Sequence, residues 1–255
     1  MKKKLLATLV LSITASTGAQ ASTLLGYYSL NGNGVDLTGT GATLIDHGGV
    51  TYAQGLSGQA ASFDGSGSTW LEASINASGD TVPEFSWGAW VKLTTPNDWN
   101  IFLSNDNGGW DRFTQANGGK WSVSNGGVQQ SPVSTTSEWT YVSETFNGTQ
   151  QQLFVNGQLA LTTQDGTNDS QHHIDIGRNA NGAFPLNGLI QSVSFFSGVL
   201  TAAQENTIYQ GGANGSGVLQ VAGLAPSAVP VPGAIWMFGT GLLGLGAIMR
   251  KKAQA

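Results

Sequence analysis

This sequence predicts an all-β fold, a two-sheet antiparallel sandwich, and three observations carry that reading. Short segments alternate apolar and polar residues with a period of two. Asn-Gly and Gly-rich turns separate them. A single segment carries both the start and the stop signals of a helix. In chain order, residues 26–30, 60–63 and 70–73 read as the first strands. The clearest strand is 85–93, where Phe85, Trp87, Ala89, Val91 and Leu93 take one face and Ser86, Gly88, Trp90 and Lys92 the other. Residues 100–104 and 120–124 follow. The segment 139–146 runs into the turn Asn147-Gly148, returns as 150–155, turns at Asn156-Gly157 and continues as 158–162. Residues 173–177 and 189–196 complete the set. The helix begins at Thr201, an N-cap with Gln204 three residues on, and Gly211 stops it after Tyr209.

Both ends of the chain read as processing signals rather than as fold. Lys2, Lys3 and Lys4 precede an apolar run, and Ala19-Gln20-Ala21 closes it, the layout of a secretory signal peptide over residues 1–21. Residues 22–212 are then the sandwich. Residues 213–228, rich in Gly, Ala and Ser, read as a flexible linker. Val229-Pro230-Val231-Pro232 opens a terminal segment, 229–252, whose apolar part 233–249 ends at Arg250-Lys251-Lys252. Seventeen residues at ~1.5 Å rise reach ~26 Å, the short end of a bilayer crossing.

Charge narrows the partners. Without the two ends, only Lys92, Arg112, Lys120 and Arg178 stand against all fifteen acidic residues, a formal charge of −11. Such a body repels phosphate backbones, which excludes nucleic acid and disfavours anionic membrane surfaces. A neutral ligand, or one bridged by calcium, fits better. There is no cysteine, so thiol catalysis and cysteine metal sites drop out and the fold must stand on its core.

The C-terminal segment resembles the PEP-CTERM sorting signal in its Val-Pro-Val-Pro start, its Gly239-to-Leu245 core and its basic end, with Val231 where the motif has Glu. That resemblance implies signal peptidase and an exosortase-type protease as partners and a transient hold in the inner membrane. Export to the cell surface or beyond is then expected. The body resembles the laminin-G-like, concanavalin A-like lectin family. The segments that carry the likeness are Phe63-Asp64-Gly65 with Trp70-Leu71-Glu72, the strand from Phe85 to Val91, Trp139 to Val142, Phe146 to Thr149, Leu153 to Gly157, Ile176-Gly177-Arg178 and Leu186 to Ile190. The resemblance implies a jelly roll of two antiparallel sheets and often a bound calcium. Many members bind glycans, some bind proteins, and a related branch cleaves glucans. Asp36, in an early Gly/Thr loop, stands where members often place a calcium-binding acid, and Asp64 is a second candidate. Gln191 stands where members often carry a further acid. The alternative reading of Asp36 and Asp64 is as turn residues that bond their own backbone.

Retaining glycosidases need two carboxylates close together, which the related branch supplies with a Glu-x-Asp-x-Glu strand. No such run occurs here. Asp106 with Asp111, Asp165 with Asp169, and Asp80 with Glu84 fall in expected loops. His172 and His173 are adjacent and so point to opposite faces of a strand, and His47 stands alone. No enzyme is expected. Sugar recognition, by contrast, stacks aromatic rings on sugar faces and meets hydroxyls with amides, acids and arginine. Trp99, Asn105, Asp106, Trp110, Asp111 and Arg112 concentrate those groups, Arg178 is a further candidate, and Trp121 reads as core. The expected function is non-catalytic binding of carbohydrate or exopolysaccharide in a biofilm matrix. A structural or adhesive protein that binds other proteins is the alternative, and a glycan-active enzyme the third.

Overall fold

The structure, a computed structural model, describes residues 22–39, 41–107, 109–124, 126–165 and 171–224. The expected signal peptide with Ala21, and the segment opened by Val229, Pro230, Val231 and Pro232, lie outside the described residues. Among the described residues no helix is long and apolar enough to cross a membrane.

Two antiparallel sheets face each other, as the alternation predicts. The first runs from edge to edge as β13 (Gln158–Gln164), β12 (Gln150–Val155), β11 (Thr140–Asn147), β6 (Glu84–Leu93), β15 (Asn187–Ser197), β4 (Gln59–Asp64) and β3 (Thr51–Gln54). β15 is long enough to serve two partners on one edge. Its first half pairs with β4 and its second half with β1 (Thr23–Tyr28). The second sheet runs as β10 (Val128–Ser134), β9 (Lys120–Ser124), β8 (Phe113–Asn117), β7 (Asn100–Ser104), β14 (Ile174–Ile176), β5 (Trp70–Ala73) and β2 (Ile45–His47).

The core lies between the sheets. Phe85, Trp87, Ala89, Val91 and Leu93 of β6 all enter it, together with Leu71, Ile174, Ile176, Phe102 and Trp121 from the second sheet. Trp121 is therefore core, as expected. A polar link from β6 through β8 to β11 crosses this interior. Trp87 Nε1 donates to Thr114 Oγ1 (2.7 Å), and that hydroxyl donates to Glu144 Oε2 (2.6 Å). Burial pushes the Glu144 carboxyl well above its usual range, against the pull of the Thr114 bond.

The opposite face of β6 carries Trp90, an apolar residue that would be stranded in solvent on a bare sheet. Two helices cover it. α1 (Ala202–Gln210) starts at the expected capping box, with the Thr201 side chain accepting from the Gln204 backbone. Tyr209 of α1 stacks on Trp90 at 5.7 Å. Of the expected flexible linker 213–228, residues 216–221 are instead a helix, α2 (Ser216–Val221), and residues 225–228 lie outside the described residues. Ala213 and Val218 are buried in the same cluster as Trp90, Tyr27 and Tyr141, so apolar contact rather than intrinsic propensity holds this short helix. Gly215 at its N-cap has φ +79°, and a Cβ there would lie 1.7 Å from the Tyr27 hydroxyl oxygen, so only glycine fits. The sandwich unit thus extends past Gly212 to at least residue 224.

Candidate functional site

The second sheet turns one face into the core and the other outward, and the outward face collects the chemistry. Leu71, Ala73, Ile174 and Ile176 point inward, so Trp70, Glu72 and Asp175 point out. Asp175 pairs across the sheet with Ser104 on one side and Glu72 on the other. Two loops lie on this face, residues 105–112 between β7 and β8 and residues 177–186 between β14 and β15.

Those loops are tied together by the Asp106 and Asn179 side chains. Asn179 Nδ2 donates to Asp106 Oδ2 (2.8 Å), and Ser104 Oγ donates to Asn179 Oδ1 (2.6 Å). Asp106 Oδ1 accepts the Asp111 backbone N–H at 3.2 Å. The 177–186 loop leaves the sheet at Gly177, whose φ of +98° and 2.4 Å approach of a built Cβ to the Phe63 ring exclude a side chain.

On this tied base stand three aromatic rings. Trp99 stacks on Phe184 at 3.8 Å and lies 5.9 Å from Trp110. Trp110 and Phe184 are 37% and 36% exposed, unusual for rings of this size outside a core. Both also adopt left-handed backbone, φ +62° and +49°. Such conformations cost about 1–3 kcal/mol each and persist where surrounding structure imposes them. Here Ser124 Oγ and the Gly126 N–H both donate to the Trp110 carbonyl, and the Ile101 N–H donates to that of Phe184. The Trp99 indole N–H donates to Gln115 Oε1, fixing the third ring. Trp110 is exposed and Trp99 half-buried, so both lie at the surface rather than in the core.

The rings divide two depressions. One, of about 80 Å³, is lined by Asp106, Trp110, Phe113, Asn179, Asn181 and Phe184. The other, of about 350 Å³, has Trp99 and Phe184 on one wall and Asp64, Asp98, Asn100 and Asn187 around it.

Other expected site residues do other work. Arg112 is 1% exposed. Its guanidinium binds Asp165 at 2.7 Å, donates to the carbonyls of Ala77, Val82 and Pro83, and lies over the Phe146 ring at 4.3 Å. It is a buried clamp, not a ligand group. Asn105 and Asp111 are likewise buried and belong to the loop interior. Arg178, a further candidate, is engaged on both sides. Its Nε binds Asp175 Oδ2 at 3.0 Å, and its guanidinium lies 3.3 Å from the centre of the Trp70 ring. His47 stacks on that ring at 4.3 Å. Two groups so close to one ring centre must occupy opposite faces, so Trp70 offers no free face.

The residues expected for calcium do not fit it. Asp36 accepts from the Tyr27, Thr38 and Gly41 N–H groups and from the Thr38 hydroxyl. Burial would raise its carboxyl, but these bonds outweigh it and hold the group below its usual range. With four donors on two oxygens it organises a turn and has little left for a cation. Asp64 is exposed and its Oδ1 accepts from the Ser66 N–H. Gln191 accepts from the N–H groups of Leu56 and Ser57 and returns its amide to the Ser57 carbonyl, a turn-holding role that uses an amide donor no acid possesses.

Sequence reasoning missed Phe184 and Asn179, whose only signal was a lone aromatic within the Asn/Gly-rich run 179–184. It also missed that Glu72, His173 and Asp175 converge, their ligand atoms lying within 4.8 Å of one another.

Comparison with known proteins agrees with the fold. The sequence profile of the concanavalin A-like lectin/glucanases superfamily matches residues 64–204. No curated protein matches the chain. Domain 4 of an extracellular GH43 arabinanase from Geobacillus stearothermophilus, solved in complex with arabinotriose, is similar at TM-score 0.56 and 18% identity, over 73% of this chain and 98% of that one. The botulinum neurotoxin serotype D binding domain matches at TM-score 0.56 and 17% identity, over 74% of this chain and 52% of that one. A botulinum neurotoxin type C structure, from a study describing cell entry dependent on two ganglioside molecules, matches at TM-score 0.55 and 14% identity, over 74% and 51%. The chain spans about half the length of these toxin chains. At such identities the likeness is one of fold.

Proposed function

The chain belongs to the concanavalin A-like lectin/glucanases superfamily, and on that premise we propose that it is an exported, non-catalytic protein that binds extracellular polysaccharide through the Trp99, Trp110 and Phe184 platform. The observation that carries this reading is the pair of exposed rings, Trp110 and Phe184, held in left-handed backbone beside buried amide and carboxylate groups. The 80 Å³ depression has space for a few waters but not for a sugar ring. A ring would therefore lie across its mouth, stacked on Trp110 or Phe184, with hydroxyls toward Asp106, Asn179 and Asn181. The 350 Å³ depression beyond the Trp99–Phe184 stack lies within the range of ordinary ligand sites. Two depressions on either side of one aromatic wall suit an oligosaccharide segment of a longer polymer. A neutral or basic glycan suits the acidic body better than a polyanionic one. Structural neighbours with the same fold include a domain crystallised with arabinotriose, which adds support.

The non-catalytic part of the reading draws support from Glu72 and Asp175, a carboxylate pair that converges on the outward face. Asp175 is buried and bonded to Arg178, too enclosed to reach a glycosidic bond.

The test is affinity electrophoresis of the purified protein through gels containing different polysaccharides. One glycan class should retard the protein, and Trp110→Ala or Phe184→Ala should weaken that binding about tenfold with the melting curve unchanged. Retardation by no glycan, including the producing cell's own matrix, would sink the sugar reading and leave protein adhesion in its place. For the ends, mass spectrometry of the mature protein should give Ser22 as its first residue and a C-terminus near Pro230 and Pro232. An intact tail would rule out the sorting proposal.

A further inference from the structure

We propose that Glu72, His173 and Asp175 form a binding site for a divalent first-row transition metal, with zinc the best match to its donors. The site lies on the outward face of β5 and β14, apart from the aromatic platform, and does not depend on the sugar reading. Two strands and the bend leading into one of them build it. Asp175 is the direct cross-strand partner of Glu72, and His173, in the bend just before β14 rather than on the expected strand, brings its ring to Asp175. Two rungs along the same face, His47 is the partner of Trp70.

Four observations point to a cation. First, the donor set is mixed, one imidazole and two carboxylates, their ligand atoms within 4.8 Å of one another. Second, His173 Nε2 and Asp175 Oδ1 are 3.6 Å apart. That is too long for a hydrogen bond but close to the ~3.4 Å edge of a tetrahedron with metal–ligand bonds of ~2.1 Å. Third, Asp175 is 1% exposed and its Oδ1 makes no hydrogen bond among the described residues, although its Oδ2 is bonded to Arg178. A buried carboxylate oxygen left without a donor is costly, and a metal ion would satisfy it. Fourth, His47 Nε2 lies 3.1 Å from Glu72 Oε2. A hydrogen bond of this kind orients a ligating carboxylate from behind.

Charge agrees. Two acids, Glu72 and Asp175, converge there against the single guanidinium of Arg178, an arrangement a divalent ion would balance. Calcium is a poor match, because it takes six to eight oxygens and avoids imidazole, whereas zinc accepts nitrogen and carboxylate oxygen in fourfold coordination, with water completing this set.

The experiment is isothermal titration of the full-length protein in mild detergent, purified without a polyhistidine tag, with zinc chloride and, separately, calcium chloride. One zinc ion per chain should bind in the micromolar range or tighter, with calcium much weaker. His173→Ala and Glu72→Gln should each weaken zinc binding at least about tenfold, while His172→Ala, the exposed neighbour outside the cluster, should leave it unchanged. Both replaced side chains are partly exposed, so the variants should retain the wild-type melting curve without zinc. Asp175 is too enclosed for a clean test. The proposal is overturned if no zinc binds in that range, if binding survives His173→Ala, if His172→Ala abolishes it, or if calcium binds equally well.

Discussion

Arg112→Met should lower the thermal midpoint by about 10 °C. The guanidinium sits in a pocket with almost no solvent contact, paired to an Asp165 side chain that is fully buried. Removing one partner of a buried pair typically costs about 3–5 kcal/mol, because the other is left as an uncompensated charge. In a domain of this size each kcal/mol moves the midpoint by roughly 2–4 °C. The carbonyls of Ala77, Val82 and Pro83 would lose their donor as well. Asp165→Asn should cost less, since those three carbonyls still compensate the arginine. The double variant Arg112→Met/Asp165→Asn should be more stable than Arg112→Met alone, a coupling that a thermodynamic cycle measures directly. A ligand-binding Arg112 would instead lose sugar affinity at unchanged stability. If differential scanning calorimetry shows a midpoint within about 2 °C of wild type, the clamp is the wrong account of this residue.

Arg112 also shows where local sequence stops being informative. Trp110 and Arg112 both lie in a Gly-flanked stretch that reads as exposed, and only Trp110 is exposed. The arginine two residues on turns inward because its partner Asp165 lies 53 positions away, beyond any pattern in the window. Strands followed the same rule. β5, β7, β9 and β12 are found at their expected bounds because alternation and Asn-Gly turns are local signals. β8 was missed because Gln115 and Thr114 are buried by the loops and the opposite sheet, which hides any apolar alternation. β10 contains Pro132, which argues against a strand except at a sheet edge, and the edge is where it lies. α2 is six residues of linker-like composition, and only the apolar patch around Trp90 makes it a helix. The platform was half legible for the same reason. Trp99 and Trp110 fall in one window, whereas Phe184 reaches Trp99 through the 177–186 loop from far along the chain.

Glu205→Gln should flatten the pH dependence of stability between pH 4.5 and 7. Glu205 lies in the first turn of α1, buried against β11, where Ser143 Oγ donates to its Oε2 at 2.6 Å and its Oε1 has no hydrogen-bond partner among the described residues. Burial pushes its carboxyl up to about 7, against the pull of the Ser143 and Tyr141 hydroxyls. The folded protein therefore holds this proton more tightly than the unfolded chain, whose glutamate titrates near 4.5. The resulting stability is fully present below about pH 4.5 and is lost as pH rises through about 7. A shift of this size corresponds to about 3 kcal/mol. Glutamine keeps an acceptor for Ser143 and cannot ionise, so the variant should match wild type near pH 4 and exceed it at pH 8. Urea unfolding midpoints for both proteins across this range would show it. Taking the difference between them cancels the other groups, Glu144 included. The position in α1 sharpens the expectation. A negative charge in the first turn is favoured by the helix dipole, so any shortfall from the full effect should be modest. Parallel curves for the two proteins would mean that water reaches Glu205 beneath the helix. The α1–α2 cover over Trp90 and Tyr141 would then be looser than its packing indicates.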